Sequence, residues 1–169
     1  MKSAKVSSES LTGIPSREGK YLTFTLGEEE FGIGILKVRE IIGLMPIRPI
    51  PKTPDFVKGV INLRGKVIPV IDLRTRFALN ARPYDERTCI IVVEVSGLSD
   101  ETSMGIVVDA VNEVTNIKED QVEATPSFGV SLDTRFILGM AKAEDNVRLL
   151  LDIDRVLNER ELEIISQAA

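Results

Sequence analysis

The chain has no histidine among its 169 residues. That absence removes the commonest general acid–base group and the commonest metal ligand. It also removes every Ser–His or Cys–His nucleophile pair and any histidine phosphorelay role. One cysteine, Cys89, forbids an internal disulfide and leaves no cysteine cluster for zinc. Its setting, Thr88-Cys89-Ile90-Ile91-Val92-Val93, is apolar and strand-like, so a buried inert thiol is expected, with a reactive thiol as the alternative. No apolar run is long enough to span a bilayer, and no direct membrane insertion is expected. Met1 to Lys20 is polar and lacks the apolar stretch of a secretory signal, which makes the cytoplasm the default location.

A net charge of −5 argues against nucleic acid as the principal partner. The charge is unevenly spread. Residues 1–85 hold 14 Lys+Arg against 9 Asp+Glu, whereas residues 86–169 hold 7 against 17. Unlike ends of this kind favour head-to-tail association, which salt should weaken.

Strand signals dominate after the first 19 residues. Tyr21–Leu26 alternates, Gly27–Glu30 reads as a turn, and Phe31–Leu36 as the return strand. A second hairpin runs through Gly59–Leu63, a turn at Arg64-Gly65-Lys66, and Val67–Ile71. Pro69 cannot donate to a ladder, which places it at an edge or a bulge. The Pro-rich Arg48–Pro54 segment reads as a connector, or as a polyproline II ligand.

The second half of the chain repeats the first. At an offset of 80, Phe56 meets Phe136, Val57 meets Ile137, Gly59 meets Gly139, Val67 meets Val147, and Val70–Leu73 meets Leu150–Ile153. At an offset of 73, Gly32-Ile33 meets Gly105-Ile106, and Val38–Ile41 meets Val111–Val114. The period is too long for a solenoid and reads as a duplicated small β domain. Short strands with Gly/Pro turns imply barrels or sandwiches. The expected fold is all-β: two five-stranded barrels over about 20–84 and 85–157, with exchange of strands between them left open, and with short helical turns. A flexible tail, 1–19, precedes them and a C-terminal helix, 158–169, follows. Asn158 and Glu161 would cap that helix, with Leu157 stapled to Leu162. Asp72 and Asp152 stand where a strand ends and suit N-caps better than catalysis.

Motifs for chemistry fail on inspection. Gly59–Val67 has one residue too many between its glycines for a phosphate loop, and Val67 replaces the Ser or Thr after the lysine. Gly32-Ile33-Gly34 starts a dinucleotide fingerprint, but Lys37 holds the third glycine position. Glu28-Glu29-Glu30 is contiguous, unlike the spaced ligands of a calcium loop, and reads as a solvated turn. No catalytic residue, cofactor site or metal site is therefore assigned. A carboxylate-only hydrolase and a generic SH3-like peptide binder stay open at this level.

The strings Thr23–Gly27, Phe31–Ile33 and Ile35–Ile41, then Thr53–Gly65 and Ile68–Arg74, resemble the CheW family of chemotaxis coupling proteins. Gly105–Asp109 and Leu149–Ile153 extend the resemblance, and Asn62-Leu63-Arg64-Gly65 is its most specific piece. The resemblance implies two SH3-like barrels and a non-enzymatic role coupling methyl-accepting chemoreceptors to the histidine kinase CheA. The implied partners are the CheA regulatory domain, the cytoplasmic tip of the receptors, and further copies of the chain in arrays. Carried over by position, Val38, Glu40, Ile41, Asn62, Arg64 and Gly65 are the candidate binding surface. In the internal repeat Glu40 is matched by Glu113 but Arg64 by Glu144, so the barrel plan itself would not require a Glu40–Arg64 pair.

Overall fold

In the computed structural model, residues 18–79, 83–96, 101–123, 136–143, 146–157, 160, 161 and 163 are described. The strands are β1 (Gly19–Leu26), β2 (Glu29–Gly34), β3 (Val38–Gly43), β4 (Val57–Leu63), β5 (Lys66–Asp72), β6 (Cys89–Ser96), β7 (Glu101–Val108), β8 (Ala110–Ile117), β9 (Val122–Glu123), β10 (Ile137–Ala143) and β11 (Asn146–Leu151). One turn of helix, α1 (Leu73–Arg76), follows β5, and Ile35–Lys37, Glu119–Gln121 and Ile153–Arg155 form 3-10 turns. Arg160, Glu161 and Glu163 are helical, while Asn158 and Leu162 of the expected cap and staple lie outside the described residues. Residues 1–17 of the expected tail also lie outside them.

The strands build two sheets, ordered β8-β1-β2-β11-β10-β9 and β3-β6-β7-β5-β4. The repeat offsets make β4 and β5 the counterparts of β10 and β11, and β2 and β3 those of β7 and β8. Under that exchange one sheet order becomes the other, with β9 left over. The copies agree in detail. Val70 pairs with Gly105 in parallel, as Leu150 pairs with Gly32. The β4–β5 ladder shifts register between Val57 and Gly59, and the β10–β11 ladder between Ile137 and Gly139. Asp72 N–H donates to Phe56 O at 2.8 Å, and Asp152 N–H to Phe136 O at 2.9 Å.

Each half gives its first hairpin to the other half's sheet. β1 and β2 join β8 to β11, whereas β6 and β7 join β3 to β5. The division at 84/85 therefore marks the copies in the sequence and not the sheets in space. Where the copies meet, Arg76 Nε donates to the carbonyl of Val156, its own counterpart, at 3.0 Å. The same guanidinium lies 5.2 Å from the Phe56 ring centre and 5.6 Å from that of Phe136, which are also counterparts.

Three cores follow from this arrangement. Ile61, Ile68, Val70, Ile90, Val92 and Val107 fill one barrel, and Tyr21, Ile117, Val122, Ala141 and Leu150 the other. The largest core lies between the barrels and includes a stack of Phe24, Phe31, Phe77 and Phe136 with successive centroids 6.0, 5.8 and 4.8 Å apart. Exchange of the hairpins makes this shared layer the bulk of the apolar burial, so the two barrels form one unit.

Local expectations meet mixed outcomes. Asp72 and Asp152 do cap: their carboxylates accept from the N–H groups of Arg74 at 2.9 Å and Asp154 at 3.1 Å. Pro69 is not on an edge strand, because β5 lies between β7 and β4. It is tolerated because the pairing of β5 with β7 begins only at Val70. The first hairpin turn is just Gly27-Glu28, since Leu26 pairs with Glu29. Glu30 accordingly sits in β2 and pairs with Arg148 at 2.9 Å, leaving the solvated turn narrower than expected. The Pro-rich connector folds back so that Arg48 bridges Val60 and covers part of the outer edge of β4. β9 covers β10 in the same way, and both protect an edge that could otherwise recruit foreign strands.

Candidate functional site

The β4–β5 hairpin closes through Arg64 and Gly65, with Leu63 facing Lys66. Both turn residues have positive φ, +53° and +86°, values that fit the tight type I′ turn favoured by twisted hairpins. Glycine takes this conformation without strain, whereas Arg64 does so at some cost. Asn62 holds the turn: its Oδ1 accepts from Gly65 N–H at 2.8 Å. Asn62 and Gly65 thus fix the direction in which Arg64 points.

Arg64 Nη2 donates to Glu40 Oε2, and the two form an ion pair. These residues come from opposite ends of one sheet, since β3 and the β4–β5 turn are separated by β6 and β7. In a flat sheet they would be well over 10 Å apart at ~4.8 Å per strand. Their contact is a direct sign that the sheet curls into a barrel. The pair spans an open cleft of about 230 Å³ whose floor includes Leu63, Ile68 and Val92. Arg39, Lys66 and Ser103 complete the rim.

A bulge sets the side-chain directions on β3. Val38 faces Val93 and Glu40 faces Val92, which leaves Arg39 as the extra residue. Val38 and Ile41 consequently share the face of Val93 and Ile91, whereas Glu40 and Ile42 point to the barrel side. Val38 packs onto the shared core, but Ile41 is 45% exposed near the end of the strand. The six candidates therefore separate. Glu40 and Arg64 are in contact, Asn62 and Gly65 shape the turn beneath them, Ile41 is an exposed apolar residue, and Val38 contributes mainly to packing. In the repeat, Glu113 pairs with Arg148 at 3.2 Å, and Glu144 lies outside the described residues.

Sequence reasoning misses a second polar cluster. Arg74, on α1, is 2% exposed and grips Asp72 through Nε at 3.1 Å and Nη2 at 3.0 Å. Its Nη1 reaches Asp109 Oδ1 at 2.9 Å, and Asp109 Oδ2 accepts from Gly27 N–H at 2.6 Å. Tyr84 stacks 5.0 Å from the guanidinium and its hydroxyl donates to Asp72 Oδ2 at 3.4 Å. Burial alone would lower the Arg74 pKa, but the hydrogen bond and charge of Asp72, then the charge of Asp109, more than reverse this. Burial, followed by the charge of Asp72, raises the Tyr84 pKa and keeps its phenol protonated. One signal could have flagged Arg74. At the offset of 80 it meets Asp154, a charge reversal inside an otherwise matched block.

Asp72, Arg74 and Asp109 are buried, and Tyr84 lies over the guanidinium on the solvent side. Among the described residues, no group of three or more Cys, Asp or Glu has the geometry to hold a metal. No helix among them is long and apolar enough to cross a membrane. Cys89 is half-buried against the shared core, and burial raises its pKa. Its alkylation by iodoacetamide at neutral pH is expected to be about tenfold slower than that of a free thiol. A rate matching glutathione would show a more open or more cationic setting than the structure has.

The known proteins that match agree with this geometry. A CheW-like domain matches residues 20–161. The chemotaxis protein CheW of Klebsiella aerogenes is 41% identical over 150 residues, covering 89% of this chain and 88% of the relative. That of Rhizobium meliloti is 33% identical over 142 residues, covering 84% and 89%. The crystal structure of the scaffolding protein TtCheW from Thermoanaerobacter tengcongensis superposes with a TM-score of 0.75 at 38% identity, covering 85% of this chain and 95% of that one. Two exchanged barrels, the Asn62–Gly65 turn and likeness over nearly the whole chain converge on one conclusion: the chain belongs to the CheW-like family.

Proposed function

We propose that this protein is a chemotaxis coupling protein that holds methyl-accepting chemoreceptors to the histidine kinase CheA and performs no catalysis of its own. Membership of the CheW-like family over residues 20–161 carries this reading. The site chemistry supports it: the Glu40–Arg64 pair and Ile41 are on the surface, while the Arg74 guanidinium is held between two buried aspartates. Such a protein works by contact, with exposed apolar groups as anchors and charges setting register and association rate. Its partners are the regulatory domain of the kinase and the cytoplasmic tips of the receptors, with further copies of itself in arrays. It acts in the cytoplasm, at the membrane only through those partners.

The direct test mixes the protein with purified kinase and receptor fragments and looks for a ternary complex by size-exclusion chromatography. Failure to bind either partner would refute the proposal. Arg64→Glu sharpens the test. An exposed ion pair is worth about 0–1 kcal/mol, so the variant should remain folded. It places two carboxylates together at the contact surface and is expected to weaken coupling about tenfold or more. An unfolded variant, or a folded one that couples normally, would remove Arg64 from the binding surface.

A further inference from the structure

Because the sheets are copies, the faces that carry Glu40 and Glu113 can be compared position by position. On the Glu113 face, Arg148 stands in the centre with its side chain 13% exposed. Its Nε is 2.9 Å from Glu30 Oε1 and its Nη2 is 3.2 Å from Glu113 Oε2. Asn112 Nδ2 donates to Glu30 Oε2 at 2.8 Å. This face supplies its own anion, Glu30, and its own cation, Arg148.

The repeat offsets give the counterpart of Glu30. Glu30 lies opposite Thr25 of β1 and beside Arg148 of β11. Ser103 lies opposite Glu94 of β6 and stands 73 positions after Glu30, the offset that relates Gly32 to Gly105, while Ile68, which lines the same cleft, stands 80 positions before Arg148. Ser103 thus holds the place of Glu30, and Ile68 that of Arg148. Both replacements are shorter, and the cleft of about 230 Å³ opens here.

The charge balance is reversed as well. Among the described residues the Glu113 face sets two carboxylates against one guanidinium, whereas the cleft sets Arg39, Arg64 and Lys66 against Glu40 and Glu94. Arg39 pairs with Glu94, and Arg64 with Glu40. The Lys66 ammonium meets the Ser103 hydroxyl at 3.4 Å and, among the described residues, no carboxylate. The buried side chains of Ile68 and Val92 beneath it strengthen any charge interaction made in the cleft.

We infer that this cleft receives a carboxylate side chain from a protein partner, seated on Lys66 and Ser103 where the sister sheet carries Glu30. The inference rests on the coupling role proposed above and names the chemistry of one of its contacts. The partner presents a glutamate or aspartate on an exposed segment, and the side chain completes from outside the pairing that Glu30 completes from within.

The experiment uses the full chain and the peptide acetyl-Gly-Glu-Glu-Gly-amide, with the Gln-Gln peptide as control, titrated at constant ionic strength and followed by amide NMR. Saturable shifts centred on Lys66, Ser103 and Arg64 are expected with the Glu peptide, at least tenfold weaker with the Gln peptide. Lys66→Ala should weaken the response about tenfold. Ser103→Glu should abolish it and raise the melting temperature, because the cleft then holds its own anion. Equal response to both peptides, or full binding by a folded Ser103→Glu variant, would overturn the inference. Should coupling prove real while the Glu peptide leaves the cleft unshifted, the subsite fails and the coupling role stands. Selective binding of the Glu peptide by a protein that ignores kinase and receptor would uphold the subsite and refute the coupling role.

Discussion

Arg74→Ala is expected to cost about 3–5 kcal/mol of folding stability, the scale for breaking a buried ion pair by removing one partner. The loss is large because the Arg74 guanidinium is the cation paired with two buried carboxylates, Asp72 and Asp109, and both would lose it. Asp72 is 1% exposed and Asp109 7%, so water cannot readily replace the guanidinium. Against a total of roughly 5–15 kcal/mol for an ordinary domain, such a loss threatens the fold. Arg74→Lys should fall between the two, since one ammonium cannot hold Asp72 through two nitrogens and Asp109 through a third. Urea unfolding followed by circular dichroism reads both variants. A midpoint for Arg74→Ala within experimental error of the parent would show that the cluster does not hold the fold.

The position of this cluster explains why it matters. Asp72 ends β5 in one sheet, and Asp109 joins β7 of that sheet to β8 of the other. Through Asp109, Arg74 also holds the Gly27 turn between β1 and β2. The exchanged hairpin is thereby fastened to the sheet it does not belong to. The relative setting of the barrels is the geometric quantity a contact protein must preserve, so loss of Arg74 should impair coupling even where the chain still folds.

How far the sequence reveals this arrangement depends on the element. Alternation and turn residues locate both principal hairpins, and the two offsets identify which strands are counterparts. They do not reveal the exchange. Either copy of β1–β2 presents the same alternating faces and satisfies a sheet equally well, so pattern alone cannot choose the partner. The candidate surface shows a similar limit. Glu40 and Arg64 are 24 positions apart and meet only because the sheet curls. The bulge at Arg39, which puts Val38 and Ile41 on the same face, leaves no mark in β3 such as a glycine or proline beside it. Asn62 and Gly65 are legible because turn chemistry is local. Arg74 is hidden because a charged residue after a strand ordinarily reads as solvated surface.

One match between the copies, Gly59 with Gly139, leads to the other large expected effect. Gly59 has φ of +142° and sits at the register shift in β4. A Cβ there would lie 2.0 Å from Arg48 O, 2.6 Å from Arg48 C and 2.9 Å from Pro49 Cα. All three are backbone atoms, so no side-chain rotation relieves the contact. Gly59→Ala must strain its own φ, at about 1–3 kcal/mol, and also push the connector off β4. That breaks the Arg48–Val60 bridge, two hydrogen bonds of 2.9 Å each, worth about 1 kcal/mol apiece. A loss of roughly 3–5 kcal/mol is therefore expected on adding these terms, with faster amide exchange at Val60 and Arg48. Gly65→Ala is the informative comparison. Its φ is also positive, but a Cβ would meet nothing within 4 Å, so only the conformational cost of about 1 kcal/mol should appear. Equal losses at the two glycines would mean that backbone conformation alone makes Gly59 necessary. A markedly larger loss at Gly59 would show that the repeated glycine is there to let the connector close the edge of the barrel.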